Sequence, residues 1–228
     1  MSTIYEKFTS WYLRFNGYFT VDNFVVHAAN DATRIRNGII APYTETDTIA
    51  IRMPYSAEIT GELKIANHDI LVEKQNGRFD IVIAEVKSGN ENKPNSVWRN
   101  KSIIPIQYII RFVGLYDDDQ ILQVTDQLSK QYLYEDKKSR IRYIVFANQP
   151  NLWYSSRGVK YITFSQMARF LVHVRGQCWI NAGIGVASVH YQWDDQIKTI
   201  FEIANDFNKP IETRESDILQ FLISENRK

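Results

Sequence analysis

One stretch of the chain, DIVIAEVKSG at residues 80 to 89, constrains the fold more strongly than any other segment. Successive side chains of a β-strand point to opposite faces, so Ile81 and Ile83 lie on one face and Val82 and Ala84 on the other. Both faces are therefore apolar over the first part of the strand. A strand of this kind is covered on both sides, which predicts a central strand in a sheet with helices on its two faces.

The end of the same strand is charged on one face. Glu85 and Lys87 share the face of Ile81 and Ile83. A strand that faces solvent would be polar along that whole face, so a change partway along indicates that the face opens into a cleft. An ion pair where the strand leaves the core is the plainer interpretation. Other Glu-x-Lys triplets occur in the chain, but only this one follows an apolar strand.

The periodicity of apolar residues predicts the other elements. Strands are predicted at residues 18–28, 44–54, 140–148 and 159–164, and helices at 3–15, 104–116, 165–175, 194–207 and 214–226. This order predicts one α/β domain spanning residues 1–228, with a central mixed sheet flanked by helices. The core covers about residues 1–175, and helical additions cover about residues 176–228.

A metal site needs a second carboxylate, and the strand TETDTIAIRMP, residues 44–54, supplies Asp47. If this strand is an antiparallel neighbour of the charged strand, the start of one lies beside the end of the other, and Asp47 meets Glu85. Two carboxylates with water suit Mg²⁺, a hard ion that prefers oxygen ligands. A lysine such as Lys87 can then orient or deprotonate the attacking water and neutralise charge in the transition state. These groups are the ones required to hydrolyse a phosphodiester.

Two other aspartates compete with Asp47 for this role. Asp69 also begins an apolar stretch, and its separation from Glu85 suits a simple hairpin, so it remains an alternative. Asp80 points to the opposite face from Glu85 and lies about five strand residues away from it, which argues against a shared site.

The pattern of Asp47 followed by Glu85-Val86-Lys87 on a strand resembles the PD-(D/E)xK nuclease superfamily, which has the restriction-endonuclease-like fold. The segments ETDTIAIR and IVIAEVKSG are similar to those of its Mrr-like and Holliday-junction-resolvase-like members. The resemblance covers roughly residues 1–115, and a threonine precedes Asp47 where the family name has proline. It implies a mixed core sheet flanked by helices and cleavage of a substrate, usually DNA, that depends on Mg²⁺ or Mn²⁺.

Carried over to this sequence, the resemblance implies that Asp47 and Glu85 bind the metal, with the carbonyl of Val86 as a further ligand. Lys87 would act on the water. Family members often place a glutamate on the first helix, near the metal, and Glu6 fits that position. An acidic residue favoured by the helix dipole is the alternative interpretation of Glu6.

A glutamine often lies on the helix after the catalytic strand in resolvase-like members, and Gln107 fits that position here. A partly exposed helix glutamine without a catalytic role is the alternative. Basic residues at 137–142 and 99–101 could contact phosphates or simply form a solvated face.

Composition narrows the class of protein. The net charge is +1, so no strong overall field favours a nucleic acid. One cysteine, Cys178, excludes an intrachain disulfide framework. The N-terminus lacks the pattern of a signal peptide, and no apolar run is long enough to cross a bilayer. We therefore expect a cytoplasmic protein that has no membrane partner.

The chain shows no separate specificity domain, so we expect a protein partner or a homo-oligomer to direct it to DNA. The typical use of the resembled family implies a role in prokaryotic antiviral defence or DNA processing. One alternative is a catalytically silent nuclease-like fold that serves as a DNA-binding or assembly module. Another is a structural protein in which Glu85 and Lys87 form only an ion pair.

Overall fold

The structure, a computed structural model, describes residues 3–27, 35–36, 39–40, 44–60, 63–72, 77–89, 93–149, 151–181 and 194–226. Its strands are β1 Tyr18–Val26, β2 Ile35–Arg36, β3 Ile39–Ile40, β4 Thr44–Arg52, β5 Ile59–Thr60, β6 Leu63–Lys64, β7 Phe79–Lys87, β8 Leu133–Glu135, β9 Ser139–Ala147 and β10 Lys160–Thr163. Its helices are α1 Ile4–Phe15, α2 Asp69–Val72, α3 Ser96–Arg99, α4 Ile103–Val113, α5 Asp118–Gln131, α6 Leu152–Ser155, α7 Phe164–Arg169, a π-helical segment Phe170–Arg175, α8 Gly176–Asn181, α9 Asp195–Ala204 and α10 Ile211–Glu225.

A six-stranded mixed sheet forms the centre of the described molecule. Its strand order is β1, β4, β7, β9, β10, with β8 paired to the first half of β9. The strands β1, β4 and β7 are successive antiparallel neighbours, whereas β7, β9 and β10 run parallel. The predicted α/β fold, a mixed sheet flanked by helices, is thereby confirmed, and β7 is its middle strand.

The two faces of β7 belong to two separate apolar clusters. Val82 and Ala84 pack with side chains of α1, α7, α9 and α10. Ile81 and Ile83 pack with side chains of α3, α4 and α5. Complete burial of an aliphatic side chain of this size contributes about 1.5–3 kcal/mol. The predicted alternation is confirmed, and helices pack on both sides of β7.

The helices α9 and α10 lie in the same layer as α1. Ile197 and Phe201 of α9 and Ile218 and Leu222 of α10 are buried in the cluster that contains Val82. The segment predicted as a helical addition to the core therefore packs against α1 and α7 and shares their apolar cluster.

Side-chain caps fix where several helices begin. Thr3 caps α1 in a capping box with Glu6. Asp117 caps α5, a helix that is not among the predicted elements. Thr163 caps α7 together with Gln166, so this helix begins one residue earlier than predicted. No described helix has both the length and the apolar character needed to cross a bilayer.

Candidate active site

The sheet splits at one position, and Asp47 and Glu85 lie on either side of the split. Pairing between β4 and β7 ends at Thr48 and Ala84, whereas β7 stays paired with β9 as far as Lys87. Continued by one residue, the register places Asp47 opposite Glu85. The two carboxylates therefore lie at the same level of the sheet, as expected for antiparallel neighbours.

The ladder between β1 and β4 is interrupted at the same level. The register passes from the pair Asp22–Thr48 directly to the pair Phe24–Thr46 and skips the level of Asn23 and Asp47. Asn23 has a φ of 54°, in the left-handed region that asparagine adopts more readily than most residues. Asp47 thus lies where β4 has lost regular pairing on both of its edges.

The side chain of Asp47 links β4 to β7 beyond the last backbone pair of the two strands. Its Oδ2 accepts a hydrogen bond from the Val86 N–H at 2.5 Å. Burial raises the pKa of Asp47 to about 7, and the charges of Glu85 and Glu6 act in the same direction. The Val86 N–H and the Lys87 ammonium oppose this rise without cancelling it. The neighbouring negative charges, unlike burial, would also favour a cation bound beside Asp47.

The carboxylate of Glu85 is buried and is held by three donors. Only 4% of Glu85 is exposed. The Asn95 N–H donates to Oε1 at 2.7 Å, and the Lys87 ammonium lies 2.5 Å from the same oxygen. The Tyr143 hydroxyl donates to Oε2. Burial of this charge is tolerated because both carboxylate oxygens are paired or hydrogen-bonded.

Lys87 and Glu6 complete a group that we call the charged edge: Asp47, Glu85, Lys87 and Glu6. The Lys87 side chain is 26% exposed, so its ammonium contacts both Glu85 and solvent. Glu6 accepts a hydrogen bond from the Thr3 N–H at 2.8 Å as part of the α1 capping box. Its charge also raises the pKa of Asp47. Glu6 therefore both caps α1 and lies close to the candidate site.

Two further candidates, Gln107 and Asp69, are not part of the charged edge. Gln107 is half-buried on α4, and its side chain makes no hydrogen bond to any described residue. Asp69 begins the short helix α2 rather than a strand. That helix lies at the other end of β7, because the Leu71 carbonyl accepts hydrogen bonds from the guanidinium groups that pair with Asp80. The hairpin required for the Asp69 alternative is not formed.

Asp80 and two arginines form a buried cluster at this other end of β7. Asp80 is completely buried, and the Nη2 atoms of Arg140 and Arg142 lie 2.8 and 2.7 Å from its Oδ2. The Tyr18 hydroxyl donates to the same oxygen at 2.5 Å. Neither predicted role, phosphate contact or solvated face, holds for Arg140 and Arg142, because both are almost fully buried. The prediction that Asp80 lies away from Glu85 is confirmed.

Two tyrosines near Glu85 lie outside the predicted set. Tyr143 is paired with Ile83 in the β7–β9 register, and its ring stacks on Trp98 with centroids 4.1 Å apart. Tyr154 of α6 is completely buried, and its hydroxyl has no hydrogen-bond partner among the described residues. Burial raises the pKa of Tyr154, and the charge of Glu85 adds to the rise. The period-two pattern of β9 places Tyr143 on the same face as Ile141 and Val145, but it carries no signal for the partner of its hydroxyl.

The residues of the charged edge fit a hard divalent cation. Asp47 Oδ1 makes no hydrogen bond to a described residue, and carboxylate oxygens are the ligands that Mg²⁺ prefers. In the ranges that the structure describes, no three side chains of His, Cys, Asp or Glu are grouped so that they could hold a metal ion between them. A cation would therefore rely on two carboxylates, a backbone carbonyl and water, which is a common arrangement for Mg²⁺.

No protein-family model, curated protein or solved structure matches the chain. The chemistry available at the site follows from its own residues. Two carboxylates at one level of the sheet can share a cation, and a partly exposed ammonium beside them can stabilise negative charge on an oxygen that reacts there.

Proposed function

We propose that this protein is a nuclease that hydrolyses phosphodiester bonds in DNA with the help of Mg²⁺ or Mn²⁺. One observation carries the proposal: Asp47 and Glu85 lie opposite each other where β4 and β7 separate, and Lys87 follows Glu85 on the same face. We further propose a restriction-endonuclease-like core. The mixed sheet with helices on both faces supports this, because it is the architecture that the PD-(D/E)xK resemblance implies.

The charged edge has a surplus of negative charge that a divalent ion would neutralise. Three carboxylates stand against one ammonium, and the pKa of Asp47 is raised to about 7. Asp47 and Glu85 would hold the ion, with the Val86 carbonyl as a further ligand. The bound ion supplies Lewis-acid activation of a water molecule and of the phosphate.

The protein residues would position the reacting groups. The Asn95 N–H and the Tyr143 hydroxyl fix Glu85 from two directions. The Lys87 ammonium is placed to orient the attacking water or to stabilise charge on the phosphate oxygens. Asp47 must be ionised to serve as a ligand, so the Mg²⁺ concentration needed for half-maximal cutting should fall as the pH increases through about 7, the pKa of Asp47 in the metal-free protein.

The test is nicking of supercoiled plasmid and cutting of linear and branched DNA with Mg²⁺, Mn²⁺ or EDTA. The wild type is compared with Glu85→Gln, Asp47→Asn and the matched control Asp69→Asn. We expect metal-dependent cutting that is lost in the first two variants and kept in the third. Cutting that survives Glu85→Gln would contradict the proposed site. DNA binding without cutting under any metal would favour the silent DNA-binding module instead.

A further inference from the structure

A cavity of about 260 Å³ opens at the end of the sheet that holds Asp80, beside the buried arginines of β9. Asp80 precedes Glu85 by five residues on β7, which corresponds to about 17 Å along a strand. This cavity is therefore separate from the charged edge. Its volume is somewhat below the range of drug-sized ligands, about 300 Å³ and more, and it suits a small ligand or one group of a larger ligand.

The strand register places the side chains around the cavity on the face of Asp80. Arg142 Nη2 lies 2.7 Å from Asp80 Oδ2 on this face. Leu133 of β8 pairs directly with Arg142, and Lys160 of β10 pairs with Ile144, two residues further along β9. Because side chains alternate along a strand, Leu133 and Lys160 lie on the same face as Arg142. All three line the cavity.

Positive charge is in excess around the cavity. The cationic residues that line it are Arg140, Arg142 and Lys160. The carboxylates are Asp80, buried against the two guanidinium groups, and Glu135, which lines the cavity and pairs with Arg78 at 3.7 Å. A bound anion would reduce this excess, and hydrogen bonds between ionised groups are the strong ones.

Arg142 has hydrogen-bond donors that the described residues do not use. Only 5% of Arg142 is exposed. Its Nε and Nη2 atoms donate to Asp80, to the Tyr18 hydroxyl and to the Leu71 carbonyl, whereas Nη1 donates to no described residue. Buried N–H groups normally have a partner, so a ligand in the cavity would satisfy these donors.

Strand β8 leaves the place beside Arg142 without a carboxylate. The register sets Glu135 directly opposite Arg140, but it sets Leu133 opposite Arg142. The ammonium of Lys160 donates a hydrogen bond to the Ile70 carbonyl, which holds a second cation at the cavity. A guanidinium group matches the oxygens of a phosphate in geometry, and an ammonium adds a compact charge.

We infer that this cavity binds an oxyanion of the phosphate class, held by the guanidinium group of Arg142 and the ammonium group of Lys160. The inference does not depend on the proposed nuclease function. Inorganic phosphate and the phosphate group of a nucleotide share the required chemistry.

The experiment measures binding by isothermal titration calorimetry at constant ionic strength, with EDTA present so that no divalent cation occupies the charged edge. The probes are inorganic phosphate, adenosine 5′-monophosphate and adenosine. We expect the wild type to bind the first two and not the third. Tighter binding of the nucleotide would identify a phosphate group on a larger molecule as the ligand, and equal binding would identify phosphate itself.

Two substitutions at Leu133 form a matched pair. Leu133 is 36% exposed, so both Leu133→Glu and Leu133→Gln can be accommodated. Residues directly opposite on paired strands have Cβ atoms about 4.5–5.5 Å apart, so the new carboxylate of Leu133→Glu would occupy the place of the anion beside Arg142. We expect it to weaken phosphate binding about tenfold or more, since hydrogen bonds to charged groups contribute effects of this order. The uncharged Leu133→Gln should keep the wild-type affinity.

Several outcomes would overturn the inference. Absence of binding of both phosphate and the nucleotide to the wild type does so, as does adenosine binding as tightly as the nucleotide. Equal phosphate affinity of the two Leu133 variants also does so, once circular dichroism shows that both are folded. Lys160→Gln is the second test, because it removes one of the two cations and should weaken phosphate binding about tenfold. Wild-type affinity in that variant would contradict the assignment.

Discussion

The ionisation of Asp47 is opposed by its own surroundings. Burial raises its pKa to about 7, and the neighbouring charges of Glu85 and Glu6 add to the effect. The Val86 N–H and the Lys87 ammonium favour the ionised form but do not restore an ordinary pKa. In the absence of a cation, Asp47 therefore destabilises the folded protein whenever it is ionised.

We expect metal-free Asp47→Asn to be more stable than the wild type at pH 8, by about 1–2 kcal/mol of unfolding free energy. The pKa of Asp47 is about 7 in the folded protein against an ordinary value of 3.8, so between these pH values the folded state binds a proton that the unfolded chain does not. The cost of ionised Asp47 is fully present above pH 7 and disappears as the pH falls towards 4. Urea denaturation at pH 8 and pH 5 should therefore show the advantage shrinking at pH 5. A difference that does not change with pH would contradict the assignment.

Tyr143 is expected to position Glu85 rather than to touch the substrate. Removing its hydroxyl in Tyr143→Phe leaves Glu85 Oε2 without its donor. Loss of a hydrogen bond to a metal ligand typically lowers metal affinity 10–100-fold, so half-maximal cleavage should need about 10–100 times more Mg²⁺, with a smaller change in the maximal rate. The control is Tyr116→Phe. The Tyr116 hydroxyl donates a hydrogen bond to Asp136 at 2.9 Å and is not part of the charged edge. An unchanged Mg²⁺ requirement in a folded Tyr143→Phe protein would remove Tyr143 from this role.

At the scale of the element, β7 carries opposite charge imbalances at its two ends. Its first half places one carboxylate, Asp80, between the guanidinium groups of Arg140 and Arg142. Its last half belongs to the charged edge, where carboxylates outnumber the single ammonium. The backbone of one strand thus holds an arginine-rich buried cluster apart from the carboxylate-rich charged edge.

Asp80→Asn should destabilise the protein by about 3–5 kcal/mol, because it leaves two buried guanidinium groups without their counter-ion. Urea denaturation measures the loss. The matched control is Asp126→Asn, which removes an exposed i,i+4 ion pair with Lys130 on α5 and should cost no more than about 0.5 kcal/mol. Equal effects of the two substitutions would show that burial of the cluster does not govern its contribution.

The elements that the sequence predicts are those whose signal is local. The alternation along β7 is a period-two pattern, and the structure places its faces as that pattern requires. A local signal also exists for α5, since Ile121, Val124 and Leu128 are buried at helical spacing, and the pattern could have predicted this helix. The pairing of Asp80 with Arg140 depends on the register between β7 and β9, and no local pattern encodes a register between distant segments.

At the scale of the whole molecule, the sequence predicts some residues of the candidate site and not others. The reason is again that the sequence carries local patterns but not the pairing of distant segments. Asp47, Glu85 and Lys87 lie on two strands whose apolar patterns identify them and whose antiparallel pairing could be assumed. The donors that hold Glu85 come from the segment after β7 and from β9, and their approach depends on how the whole sheet assembles. The placement of Asp47 opposite Glu85 was therefore predictable, and the groups that hold Glu85 were not.

The position of α9 and α10 in the layer over the sheet has a consequence for synthesis on the ribosome. The apolar cluster on the Val82 face of β7 stays incomplete until the buried residue Leu222 has been made, because α9 and α10 supply part of it. At 5–20 residues per second, translation of the 140 residues from Val82 to Leu222 takes roughly 7–28 s, and during this time part of the apolar cluster is exposed. Such intermediates aggregate or bind chaperones. A ribosome that stops before Leu222 would therefore release a protein whose apolar cluster lacks part of its last helix.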